Sequence, residues 1–214
     1  MEMRSSFWHV GVNKSLEERY LKEGWRAPRI LPDWSIEWKP LPDHNDPDFK
    51  RLTYGEPWGR IKSLQPGDVA FFIESATGNE WESWAYYVVA AFITENVYSV
   101  FDRAIEAPRP KRETARMEQA ARVQHNAHWL RGDRSFAVLL GDIEKSKLLF
   151  RTPLVISKRQ DPLPNVKTAL GLEPARRYTG YWWKQWFGDS ETKAMMGLIE
   201  SHQRIFSEAL GIIP

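Results

Sequence analysis

Two apolar segments separated by a short polar loop constrain the fold of this chain most strongly. The first, residues 69–73, reads VAFFI and follows the turn sequence Gln65-Pro66-Gly67-Asp68. The second, residues 84–94, reads WAYYVVAAFIT. Segments that are apolar on both faces indicate buried strands, and Pro-Gly fits the central positions of a tight turn. Because a loop of about ten residues suits an antiparallel connection, we expect two adjacent antiparallel strands in one sheet.

The remaining patterns mix strands and helices without a regular alternation. We expect further strands at residues 7–12, 135–140 and 148–156, and helical segments at residues 96–105, 113–124 and 165–170. A last helix is expected because Met195, Ile199 and Phe206 recur on one helix face. Asp189, a residue type that favours the N-cap position, is expected to cap its start. This order of elements predicts an α+β fold.

Proline spacing shapes the stretch between residues 26 and 60. Prolines stand at positions 28, 32, 40, 42, 47 and 57. They exclude a long helix and disfavour interior strands. The stretch is also rich in tryptophan, so we expect an ordered loop with short extended pieces rather than a flexible linker.

Several classes of chemistry are disfavoured. The chain has no cysteine, which excludes disulfides, thiolate metal sites and cysteine nucleophiles. It has no Walker A loop, no GxGxxG and no GxSxG. No apolar run reaches signal-peptide or membrane-span length, so we expect a soluble cytoplasmic protein with no membrane partner. We expect no cofactor.

The histidines of His125-Asn126-Ala127-His128 are spaced so that both can reach one ion. A third ligand would have to come from Asp133 or His9, and neither stands at a known ligand spacing. We therefore expect no metal site, and expect one of the two histidines at the carboxyl end of the preceding helix, where the helix dipole favours a cation.

Tryptophan and charge point to an anionic, stackable ligand. The chain has 11 tryptophans, and large aromatic rings both order cores and stack on bases. Residues 1–106 carry 12 basic and 17 acidic residues, whereas residues 107–214 carry 18 and 11. Basic and aromatic residues alternate between Arg176 and Trp186. That interleaving suits a nucleic-acid backbone with stacked bases, and equally suits basic side chains packed over exposed rings.

The segment LQPGDVAFFIES, its loop and WAYYVVAAFIT resemble the central hairpin of PUA-like small barrels, the group that includes the EVE, ASCH and YTH domains. The resemblance rests on Gly67, Asp68, Phe71, Phe72 and the apolar run through Ile93. It implies a small β-barrel flanked by helices.

The chain also resembles the third nucleotide-modification-associated domain family. The matching elements are Ile30-Leu31-Pro32-Asp33, Pro40-Leu41-Pro42-Asp43, Thr53-Tyr54, the GDVAFF strand and Asn126-Ala127-His128. The sequence departs from that pattern where His44-Asn45-Asp46-Pro47-Asp48 precedes the Thr-Tyr pair, because an Asp-Pro-Asp element is expected after it. This resemblance implies a role around modified bases or nucleotides.

We accordingly expect a single domain, residues 1–214. Within it, residues 26–60 form a wrapping insertion, residues 61–160 the barrel core, and residues 189–211 a C-terminal packing helix.

The expected function is binding of a nucleic acid or nucleotide that carries a modified base. The base would lie in an aromatic pocket formed by Trp8, His9, Trp34, Trp81, Trp84 and His128. The phosphates would contact Arg109, Arg112, Arg116, Lys145 and Lys147.

Two other functions stay open. An enzyme acting on a nucleotide or base would use His128 or His9 as general base, with Asp33, Asp43 or Asp68 as its partner. A protein-interaction module would present its tryptophans on an exposed patch. The catalytic residues, the oligomeric state and the choice among DNA, RNA and free nucleotide do not follow from the sequence.

Overall fold

The computed structural model describes residues 2–9, 29–30, 36–37, 47–57, 60–76, 85–106, 113–149, 153–158, 161–178 and 182–209. Strands and helices alternate irregularly in them, in agreement with the predicted α+β class. The strands are β1 Ser5–His9, β2 Arg29–Ile30, β3 Ile36–Glu37, β4 Thr53–Glu56, β5 Val69–Ala76, β6 Ala85–Phe101, β7 Ala104–Glu106, β8 Ser135–Gly141, β9 Lys147–Leu148, β10 Leu154–Lys158 and β11 Asp161–Pro162. The helices are α1 Glu113–Gln124, α2 Ala127–Arg131, α3 Pro164–Ala169 and α4 Asp189–Ala209, with 3-10 turns at Arg60–Ser63 and Trp182–Lys184.

The two apolar segments form neighbouring strands, as predicted. β5 and β6 lie side by side in a nine-stranded sheet whose main order is β1-β5-β6-β10-β11. The pairs of β6 with β7, β8 and β10 are antiparallel. No pairing between described residues joins β1 to β11, so the sheet is open along this order.

The turn before β5 has the predicted geometry. The Asp68 N–H donates to the Gln65 carbonyl at 2.9 Å, and Gly67 has a φ of 94°. A positive φ at the third residue is the requirement of a type II turn, which explains the Pro-Gly pair. The Asp68 carboxylate in turn accepts the Gln65 N–H at 2.9 Å.

The prediction of a helix at residues 96–105 is wrong. That segment continues β6 to Phe101, turns, and returns as β7. Tyr98 and Val100 are buried, whereas Ser99 is half-buried and Phe101 is exposed. This two-residue alternation is a strand pattern, and it outweighs the modest helix propensity of the segment.

Other boundaries need smaller corrections. The strand expected at residues 148–156 is divided into β9 and β10. Asp189 is the first residue of α4 rather than its N-cap, because the Gly188 carbonyl accepts the Thr192 N–H at 2.9 Å. The proline-rich stretch does contain short extended pieces, since β2 pairs with β3 and β4 pairs with β8. Residues 10–12, the end of the strand expected at residues 7–12, lie outside the described residues.

The chain divides into two compact units, one of residues 1–39, 70–91 and 148–214, and the other of residues 40–69 and 92–147. We call them the terminal unit and the central unit. The terminal unit has an aromatic core in which Phe7 lies 5.0 Å from Phe71, 5.7 Å from Trp182 and 5.8 Å from Phe187, measured between ring centroids.

The central unit is a short antiparallel sheet in the order β4-β8-β6-β7. Its apolar core combines residues of the strands and of α1, namely Tyr98, Val100, Val123, Phe136, Val138 and Leu140. Arg122 of α1 donates hydrogen bonds to the carbonyls of Leu52 and Gly141, at 3.2 Å and 2.6 Å. It also pairs with Glu95 at 2.6 Å, so one guanidinium ties the helix to three segments.

Within the described part of the chain, no helix has both the length and the apolarity needed to cross a membrane.

Candidate functional site: an aromatic seat and a capped histidine helix

Strand β1 presents His9 to two other aromatic rings of the terminal unit. The His9 ring centroid lies 5.8 Å from that of Tyr86 and 6.0 Å from that of Trp183. The Tyr86 and Trp183 rings are themselves 6.2 Å apart. We call these three rings the aromatic seat. Because side chains alternate along a strand, Phe7 and His9 share one face of β1 and Trp8 points to the other.

The His9 imidazole and a nearby ammonium group set the electrostatics of the aromatic seat. Burial lowers the pKa of His9 below its ordinary value of 6.5, so the imidazole is neutral at pH 7. A neutral imidazole carries one donor and one acceptor. The Lys184 ammonium lies 5.4 Å from the Trp183 ring centroid and adds a cation beside the rings.

A second group of polar residues is built on α2 in the central unit. Asn126 caps the amino end of this short helix, where its side chain accepts the His128 N–H at 3.0 Å. At the carboxyl end, Gly132 has a φ of 79° and donates to the Trp129 carbonyl, while Asp133 donates to the His128 carbonyl. These two bonds form a Schellman motif, which returns the chain so that Asp133 faces His128.

His128 and Asp133 form a hydrogen-bonded pair. The distance from His128 Nδ1 to Asp133 Oδ2 is 2.6 Å, and Arg131 Nη2 lies 3.2 Å from the same oxygen. Partial burial acts to raise the pKa of Asp133, but the hydrogen bonds from His128 and Arg131 outweigh it and hold that pKa below its ordinary value. The His128 ring stacks on Phe136, with 5.4 Å between centroids, and is buried.

Strand β4 packs directly against the start of α2. The Asn126 amide donates to the Thr53 hydroxyl at 3.5 Å, and both residues are fully buried. A Cβ on Gly55 would lie 2.4 Å from His128 Cδ2 and 2.5 Å from Asn126 Oδ1. Glycine is therefore needed here for close packing. The structure thus joins the Thr53-Tyr54 and Asn126-Ala127-His128 segments, which lie far apart in the sequence.

The predicted base-pocket residues are distributed over both units. Trp8 and His9 belong to β1 in the terminal unit, with Trp8 buried. His128 belongs to α2 in the central unit. Trp34, Trp81 and Trp84 lie outside the described residues. Tyr86 and Trp183 were not predicted for the pocket, although both stand in aromatic runs of the sequence.

The basic residues predicted to contact phosphate also belong to different segments of the chain. Lys145 is exposed and pairs with Asp142 at 2.9 Å, whereas Lys147 is half-buried in β9. Arg116 lies in α1, and the structure does not describe its side chain. Arg109 and Arg112 lie outside the described ranges.

The histidine predictions have a mixed outcome. His125 ends α1 as expected for a capping histidine, and its Nδ1 lies 2.7 Å from the Ala121 carbonyl oxygen. The residues described contain no group of three or more His, Asp or Glu side chains that could hold a metal ion. The carboxylate partner of His128 is Asp133 rather than Asp68, and Asp33 and Asp43 lie outside the described ranges. The His-x4-Asp spacing with a glycine before the aspartate is the sequence signal of this pair.

Comparisons with known proteins give no relative. No family model, no curated protein and no solved structure matches this chain.

Proposed function

We propose that this protein binds a nucleotide or a nucleic-acid base, modified bases included, and that the aromatic seat holds the base. The contact of a neutral His9 with Tyr86 and Trp183 carries this proposal. Aromatic rings stack on any base, and a neutral imidazole offers a donor and an acceptor to its edge. The proposal replaces Trp8 by Tyr86 and Trp183 in the predicted pocket.

The proposed architecture is a PUA-like barrel. Its support is the adjacency of β5 and β6 and the type II turn at Gly67, which are the elements on which the resemblance rests. The packing of Thr53 against Asn126 supports the second resemblance in the same way, because it joins two of the matching segments.

Stacking energetics fit a base that is already exposed. Aromatic stacking contributes about 1–3 kcal/mol per base, whereas flipping a base out of a duplex costs a few kcal/mol. The seat alone therefore favours free nucleotides and single strands, and a flipped base would need phosphate contacts as well.

The test is a melting-shift screen, followed by native mass spectrometry, against modified and unmodified nucleosides, nucleotides and short oligonucleotides. His9→Phe keeps a ring and removes both ring nitrogens, so we expect it to weaken binding about ten-fold for a base that hydrogen-bonds to His9. His125→Phe, at the exposed end of α1, is the matched control and should bind as wild type does. If the wild-type protein binds none of these ligands at low salt, the proposal is wrong.

A second candidate function, acid–base chemistry on a nucleotide or base, is favoured by the His128–Asp133 hydrogen bond. In the tautomer with its proton on Nδ1, His128 donates to the Asp133 carboxylate and Nε2 is the basic nitrogen. Arg131 Nη2 lies 2.9 Å from the same Nδ1 and 3.2 Å from the Asp133 oxygen, so it adjoins both members of the pair. Asp133→Asn should then abolish turnover of a nucleotide that wild type converts, as followed by mass spectrometry of the products. Asp142→Asn removes another carboxylate that is paired with a basic side chain, that of Lys145, and should leave turnover unchanged.

A further inference from the structure

The hairpin turn between β6 and β7 holds two residues in an unfavourable backbone conformation. Asp102 and Arg103 have φ values of 44° and 63°, and Phe101 pairs with Ala104 across the turn. A two-residue loop with both φ values positive is a type I′ turn, which favours glycine at its second position. An arginine there carries a backbone cost, and a cost of this kind points to a use for the side chain.

The Arg103 side chain extends from this turn to the carboxyl end of α2. Its guanidinium carbon lies 5.9 Å from the Trp129 ring centroid. A Cβ on Gly132 would lie 3.3 Å from Arg103 Nη2, so the guanidinium lies against the residue whose positive φ ends the helix. Trp129 in turn packs against the apolar core of the central unit. Arg103 therefore contacts both α2 and the turn that follows it.

The backbone of the same hairpin turn holds the other end of this segment. The Asp102 N–H donates to the Arg134 carbonyl at 2.7 Å. Asp133 thus lies between two residues that the hairpin contacts, Gly132 through a side chain and Arg134 through the backbone. The position of the Asp133 carboxylate therefore depends on the hairpin as well as on the Schellman motif of α2.

The position of Asp133 matters because His128 Nδ1 has two neighbours of opposite kind. Asp133 Oδ2, an acceptor, lies 2.6 Å from Nδ1, and Arg131 Nη2, a donor, lies 2.9 Å from it. With its proton on Nδ1, the neutral ring donates to Asp133 and Nε2 is the basic nitrogen. With its proton on Nε2, the ring accepts from Arg131 instead. The carboxylate therefore favours one tautomer, and Arg131 favours the other.

We propose that Arg103 is a positioning residue for the His128–Asp133 pair. It holds residues 132–134 so that Asp133 keeps the proton of His128 on Nδ1. Glycine, which suits the hairpin turn best, would provide no such contact. This inference rests on the acid–base candidate function, because Nε2 can take up a proton from a substrate only in that tautomer. It concerns the neutral imidazole in the free protein, so its test needs no turnover.

The ring ¹⁵N chemical shifts of neutral His128 report the tautomer and test the proposal. Arg103→Met removes the guanidinium and keeps the backbone cost of the turn, whereas Arg103→Gly removes both. We expect each to lower the ratio of the Nδ1–H to the Nε2–H tautomer about ten-fold, the effect of one hydrogen bond to a charged group. Arg103→Gly should nevertheless melt at a higher temperature than Arg103→Met, because glycine adopts a positive φ without strain. A shared change in tautomer with opposite effects on stability separates positioning from folding.

Two further variants serve as controls for the tautomer ratio. Asp133→Asn replaces the carboxylate by a neutral amide and should lower the ratio as well. Arg134→Met removes an exposed guanidinium on the other side of Asp133 and should leave the ratio unchanged.

The outcomes distinguish this inference from the acid–base function on which it rests. If both Arg103 variants keep the wild-type ratio, or Arg134→Met lowers it equally, Arg103 is not a positioning residue, and turnover alone decides the acid–base function. If the Arg103 variants lower the ratio while wild type converts no nucleotide, the positioning role stands and the acid–base function fails. A wild-type His128 with its proton on Nε2, or an unchanged ratio in Asp133→Asn, overturns the inference.

Discussion

Gly55 shows how one missing side chain positions a candidate site. Because a Cβ here would lie 2.4 Å from His128 and 2.5 Å from Asn126, the β4 backbone must approach α2 without one. We predict that Gly55→Ala lowers the free energy of unfolding by about 1–3 kcal/mol, since the buried neighbours must move. Urea unfolding measures this. Gly197→Ala is the control: nothing lies within 4 Å of its Cβ, and alanine in the helix should stabilise by about 0.5–1 kcal/mol.

His9 predicts a pH dependence of stability. Its pKa in the folded protein is below the ordinary 6.5, so the unfolded chain takes up the proton first as the pH falls. Stability should therefore decrease as the pH drops below about 6.5 and level off below the folded pKa. His9→Gln should remove this part of the decrease in chemical unfolding followed at pH 5 to 8. His125→Gln is run in parallel as the control. If His9→Gln leaves the pH profile of stability unchanged, His9 is not buried in its neutral form.

At the scale of the element, α4 separates a buried from an exposed face. Met195 and Ile199 are fully buried, whereas Ile205 is 58% exposed. Met195→Ala should lower the free energy of unfolding by about 2–5 kcal/mol, because it removes core contacts and leaves a cavity. Ile205→Ala on the same helix should change it by less than about 0.5 kcal/mol. Similar effects of both substitutions, in thermal or urea unfolding, would contradict this packing.

At the scale of the molecule, Arg122 organises the central unit. Its guanidinium donates to the carbonyls of Leu52 and Gly141, which are far apart in the sequence. Leu52 itself has a φ of 51°. Arg122→Met should lower the free energy of unfolding by about 2–4 kcal/mol, because the Leu52 and Gly141 carbonyls each lose one hydrogen bond and Glu95 loses its ion-pair partner. Lys145→Met, which breaks an exposed pair, should have little effect. Equal effects in urea unfolding would refute the role of Arg122.

The charge asymmetry of the sequence does not survive in the folded units. The first half of the chain is acidic and the second half is basic, yet the central unit contains 14 basic and 13 acidic residues and the terminal unit 16 and 15. The reason is that each unit combines segments from both halves. Neither unit therefore carries the basic excess of the second half of the sequence.

The sequence by itself determined the features that depend on neighbouring residues. It predicted β5 and the start of β6 from their apolar runs, a tight turn from Pro66-Gly67, and α4 from the spacing of Met195 and Ile199. Each of these follows from local propensity or from a period of two or 3.6 residues, which a short window of sequence contains.

Tertiary structure alone decided the rest. β6 extends to Phe101 because β7 and β8 pair with it, and such pairing partners are not visible within the segment. His9 meets Tyr86 and Trp183, and Gly55 meets His128, across long stretches of chain. Even Asp133, five residues from His128, reaches it only because Gly132 takes a positive φ and closes the Schellman motif. Contacts between distant residues depend on how the elements pack, and packing sums many weak interactions that no single segment encodes.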